Sequence, residues 1–136
     1  LAVIEGWHQD KEYSVHYGVN AQAPVGSTFR DAETVIYARA IFKPRVAGET
    51  LLRLVEKDLQ TARGSGQIEE RAGVLKTAEG MPIALYNFVP QAVGNWERAG
   101  YGENEEYFFI FVVSSRTQSG YLRALPAYGQ FIQTYR

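Results

Sequence analysis

Five residues near the start carry the densest reactive chemistry of the chain. His8, Asp10, Glu12, Ser14 and His16 alternate with Trp7, Gln9, Lys11, Tyr13 and Val15. If one strand ran through the stretch, His8, Asp10 and Glu12 would point the same way, and imidazole with carboxylate is a donor set for zinc, nickel or copper. Such a trio spans roughly 13 Å end to end, too wide for one ion without help from another segment. A metal reading thus rests on His8, Asp10 and His16, against the plainer one of polar side chains on the solvent face of an edge strand. A hydrolytic triad can be composed from His16, Asp31 or Asp58, and one of Ser27, Ser114 or Ser115. The G-x-S-x-G elbow is absent, however, and a triad is recognised by geometry rather than composition.

Other candidates bind rather than react. Trp7 and the stretch Pro90–Arg98, with Trp96 and Arg98, offer side chains enriched at binding hot spots. The competing reading is that both tryptophans cap the sheet ends, since large aromatics are mostly buried. The 20–33 segment, with Phe29, Arg30 and Asp31, is long for a loop in a compact domain, and such loops often carry function. Gly64-Ser65-Gly66 and Gly100-Tyr101-Gly102 lack the third glycine of a dinucleotide fingerprint and the lysine of a P-loop. They read as a helix stop and a turn. Glu103, Glu105 and Glu106 read as a solvated loop tip. No cofactor is implied.

Composition narrows the classes. The 136 residues suit one domain spanning 1–136, large enough to bury a core. The net charge of −1 lacks the basic excess that nucleic-acid binding needs. Cysteine is absent, which removes disulfides, thiolate metal sites and cysteine nucleophiles. No apolar run reaches the length of a membrane-spanning helix. The sequence starts at Leu1 instead of Met, so removal of a segment is expected; a cleaved signal peptide or a trimmed chain would each explain it, and the sequence leaves open a lipid anchor upstream.

The elements that must position these residues are organised around Tyr107–Ser115. This run is aromatic and β-branched, and it is apolar at both parities: Phe109, Phe111 and Val113 on one face, Phe108, Ile110 and Val112 on the other. A strand apolar on both faces needs cover on both, which predicts a central strand. The alternation Tyr13, Val15, Tyr17, Val19 predicts a half-buried strand over 12–19, after a loose lead-in over 1–6. The segment 20–33 reads as loop, and 34–42 as a second strand. Over 49–63, Leu52, Val55, Leu59 and Ala62 form a helical stripe, with Gly64 as its left-handed stop. A hairpin turns at Glu79-Gly80 between strands over 67–77 and 82–89, and 96–101 forms one more strand. Leu122, Leu125, Phe131, Ile132 and Tyr135 can share one face of a last helix, kinked at Pro126 or starting near it. The order predicts an α+β fold, a mostly antiparallel sheet of about six strands with helices covering its two faces.

Three pieces carry a family likeness: Trp96–Tyr101, Glu106–Ser115, and Tyr121-Leu122-Arg123-Ala124-Leu125-Pro126-Ala127-Tyr128, followed by Phe131, Ile132 and Tyr135. Together they resemble the closing half of the Mog1/PsbP-like superfamily. There a strand carrying an aromatic leads into a two-sided apolar strand, and a Tyr…Ala-Leu-Pro-x-Phe segment opens the final helix. The likeness is good over 82–136 and weaker over 12–63. It implies an αβα sandwich and, more loosely, a small exported bacterial protein in the periplasm or another extracytoplasmic space. The resulting expectation is a non-catalytic domain binding a protein partner in the cell envelope. One alternative is a small-molecule or lipid carrier, with a pocket between the long helix and the sheet lined by Tyr17, Tyr37 and Phe42. Another is a metal-binding or hydrolytic protein using His8 and His16. No nucleic acid is expected as partner.

Overall fold

The structure is a computed structural model that describes residues 4–135; the first half of the expected lead-in and the last residue lie outside them. Among the described residues one antiparallel sheet runs in the order β1 (Trp7–Gln9), β2 (Asn20–Pro24), β3 (Thr34–Phe42), β7 (Tyr107–Ser115), β6 (Trp96–Glu103), β5 (Pro82–Pro90), β4 (Gln67–Lys76). β7 is therefore the central strand, as its two-sided apolarity requires. Its odd-numbered side chains, Phe109, Phe111 and Val113, pack with Ile36, Ile83 and Leu85 beneath α3 (Gln118–Gln133). Its even-numbered Ile110 and Val112 pack with Phe88, Ala99 and Tyr101 beneath α2 (Leu51–Gly64). The fold is α+β, a seven-stranded sheet with helices on both faces.

The 12–19 strand does not exist. Lys11–Tyr17 is a short helix, α1, and the sheet gains β1 and β2 around it. Two caps outweigh the alternating pattern. The Asp10 side chain accepts from the Tyr13 amide at the start, and Gly18 closes the end in the left-handed region at φ 64°. Ser14 turns inward, where its hydroxyl accepts from the Ala21 amide at 3.0 Å, while Val15 points out, 84% exposed. The segment read as loop contributes β2. Asn-Ala-Gln-Ala-Pro has little strand propensity, but β1 and β3 flank it and supply its ladder, and Ala21 and Ala23 are fully buried.

Smaller corrections concern the helices. α2 runs through Gly64, and the left-handed residue is Gly66 at φ 81°. α3 continues unbroken through Pro126. The hydrogen bond lost there falls on the carbonyl of Leu122, whose residue is 54% exposed, so water can take it. Leu122 consequently leaves the expected stripe, and Tyr121, Ala124, Tyr128, Phe131 and Ile132 form the buried face. The Tyr128 hydroxyl donates to the Phe111 carbonyl at 2.8 Å, so this buried phenol is satisfied.

Candidate functional site

The sheet holds the candidate residues in separate places. Trp7 lies on β1 and Trp96 on β6, four strand spacings apart, which is roughly 19 Å. Both are partly buried against the core beneath α3, and Trp96 packs on Tyr121. Arg98 belongs to the same side; its Nε donates to Asn87 Oδ1 at 2.7 Å, and the Tyr121 hydroxyl donates to that same oxygen at 2.9 Å. These three residues do not join Phe29 and Arg30 in one surface.

Phe29 and Arg30 instead meet α1. Tyr17 packs on Tyr13 at 4.5 Å between ring centroids, Tyr13 on Phe29 at 4.2 Å, and Phe29 meets Tyr37 edge-on at 5.9 Å. The Arg30 guanidinium sits over the Tyr13 and Tyr17 rings, 5.3 and 5.6 Å from their centroids, and donates to the Tyr17 hydroxyl at 3.2 Å. Helical spacing makes this possible: Tyr13 and Tyr17 are i and i+4, stacked on one side of α1. Tyr37 supplies the sheet end of the row.

Asp10 ties the pieces together. One carboxylate oxygen caps α1 at Tyr13, and the other accepts from the Phe29 amide at 2.9 Å. These bonds, the one from Phe29 first, hold its carboxyl below the usual aspartate value. Asp10 is thus committed to backbone groups. His8, predicted to share a strand face with it, has Nε2 donating to the Ser27 carbonyl at 2.5 Å. His16 lies on exposed α1, edge-on to Tyr17. Asp10 and His16 do line one cleft, with Glu12, Tyr13, Thr28 and Arg30. Among the described residues no group of three or more His, Cys, Asp or Glu is placed to hold a metal ion.

The serines of the composed triad are engaged elsewhere. The Ser27 hydroxyl donates to the Pro24 carbonyl, Ser114 accepts from Asn95, and fully buried Ser115 is bonded to Thr34.

Tyr17, Tyr37 and Phe42, expected to line a pocket between the long helix and the sheet, do not share one. Tyr17 and Tyr37 share a cleft of about 350 Å³ with Tyr13, Val19, Phe29 and Arg39, so its wall is α1 and its loop rather than α2. Phe42 is absent from it, because β3 alternation turns Phe42 to the α3 side, where it packs on Tyr107. Burial, followed by the nearby charge of Glu97, pushes the Tyr37 phenol up to about 12. The 13–17 aromatics were hidden by the strand reading; Asp10 and Gly18, spaced as helix caps, were the signal that could have found them. Among the described residues no helix is long and apolar enough to cross a membrane. No known protein-family model matches the chain, and no curated protein matches it as a relative.

Proposed function

We propose that this is a non-catalytic binding domain that recognises a protein partner through the aromatic–arginine surface of α1 and the following loop. The observation carrying this reading is the row Tyr17–Tyr13–Phe29–Tyr37 with Arg30 laid over it, in which Tyr17 stays 49% exposed. Tyrosine and arginine are, with tryptophan, the side chains enriched at interface hot spots, and a ring already held by its neighbours loses little freedom on binding. The resemblance to Mog1/PsbP-like proteins supports an extracytoplasmic setting. A photo-crosslinking residue at Val15, beside the row, should give a discrete adduct in the source cells, whereas one at exposed Leu52 on α2 should not. Arg30→Glu should abolish the Val15 adduct. Equal adducts from both positions, or an Arg30→Glu variant that still crosslinks, would defeat the proposal.

A carrier of small apolar molecules is the second reading. The Tyr17–Tyr37 cleft favours it, and saturable binding of a fluorescent hydrophobe by the purified protein, with no partner present, would separate it from the first.

A further inference from the structure

A second concavity lies on the same side of the sheet, between the carboxyl-terminal turn of α2 and strands β3, β7, β6 and β5. Its volume is about 270 Å³, and Tyr37, Asp58, Phe88, Glu97 and Tyr101 define its chemistry. Thr61 and Ala62 bring the last turn of α2 to its rim.

Three independent features favour positive charge there. The first is a pair of carboxylates outside every ion pair among the described residues, which use Glu103, Glu49, Glu69 and Glu33. Asp58 Oδ2 accepts from the Tyr101 hydroxyl at 2.7 Å, and Glu97 Oε1 accepts from Gln67 Nε2 at 3.3 Å. Neither of these donors is cationic, and each carboxylate has one oxygen outside these bonds. The second is the negative end of the α2 dipole, which favours cations at its last turn. The third is the half-buried ring of Tyr37, since a tyrosine ring attracts ammonium groups; Phe88 and Tyr101 form the buried floor beneath. Two of the basic side chains nearby are paired elsewhere, and the third reaches Tyr37 from the neighbouring cleft. Arg63 is paired with Glu69, Lys57 with Glu49 at 2.5 Å, and Arg39 lines the neighbouring cleft.

We propose that this cleft binds a small organic cation, a primary or quaternary amine with a short carbon chain, held between Asp58 and Glu97 beside the Tyr37 ring. Two carboxylates over aromatic carbon suit an ammonium group better than a divalent metal, which demands more oxygen ligands at fixed geometry. The site shares Tyr37 with the α1 surface, but its two carboxylates lie outside that surface, and it stands whether or not that surface binds a protein. Tyr101 is 1% exposed, so its hydroxyl fixes the Asp58 carboxylate before any ligand arrives.

The test is an amide-resolved NMR titration of the whole chain with butylammonium and, as neutral control, 1-butanol. Butylammonium should give saturable shifts at Ala62, Gln67 and Ala99, and butanol should not. Asp58→Asn combined with Glu97→Gln should weaken binding about tenfold or more, since charge-assisted contacts are replaced by neutral ones. Thr61→Lys, at the exposed rim, should weaken it comparably by placing a competing ammonium at the mouth without touching the buried residues. Equal shifts with butanol, or affinity unchanged in both variants, would overturn the assignment.

Discussion

Replacing Asp10 with alanine removes two hydrogen bonds that act on different elements. The bond to the Tyr13 amide starts α1, and an N-cap of this kind contributes about 1 kcal/mol. The bond to the Phe29 amide, 19 residues away, pins the loop against α1. It is charge-assisted but only part-buried, so about 1 kcal/mol is a fair value after solvent screening. The sum of about 2 kcal/mol corresponds to a fall in Tm of roughly 5–10 °C for a chain of this size. Asp10→Asn keeps the cap but cannot offer acceptors to both amides, so its Tm should fall midway. Circular dichroism melts would establish the order. The sign with pH follows from the lowered carboxyl: stabilisation is present above the ordinary value of 3.8 and is lost as pH falls through the folded-state value beneath it. The gap between wild type and Asp10→Asn should therefore close in acid. An Asp10→Ala protein melting within about 1 °C of wild type, where an N-cap loss alone predicts more, would refute the clasp.

Two further outcomes follow from the packing. Gly100→Ala should destabilise by about 1–3 kcal/mol in urea melts, because its Cβ would lie 2.6 Å from Ile83 Cγ2 and 2.9 Å from the Tyr128 hydroxyl oxygen. With its phenol raised to about 12 from 10.0, Tyr37 contributes stability that is complete below pH 10 and is lost as pH climbs toward 12. Tyr37→Phe should soften the alkaline loss of Tm over that window, and an unchanged profile would show that the ring is not buried as described.

Where the pattern in the chain was decisive, packing and propensity agreed. Tyr107–Ser115 could only be a strand covered twice, and α2 and α3 supply the cover. Where they disagreed, the caps won. Tyr13, Val15 and Tyr17 alternate as a strand does, yet Asp10 and Gly18 bracket a helix. β2 was invisible because its residues have no preference of their own and pair only when neighbours are present. The candidate site divided for a related reason. Phe29 and Arg30 were legible as functional loop residues, but their partners Tyr13 and Tyr17 had been assigned to a sheet. Trp7, Trp96 and Arg98 were recognisable as unusual, and only three-dimensional placement shows that they support the α3 side.

The strand order has a kinetic consequence. β4 to β7 form a meander in which each strand pairs with the next in sequence, so they can zip together through short loops. The three amino-terminal strands join that meander along a single seam, β3 against β7, whose first rung links Thr34 to Ser115 across 81 residues. Closing such a span costs chain entropy before any contact repays it, and topologies dominated by distant pairings fold slowly. Zippering of that seam is the step we predict to limit the folding rate. Until it is complete, β7 presents an unpaired apolar edge, and this interval is when a newly made chain is most exposed to aggregation.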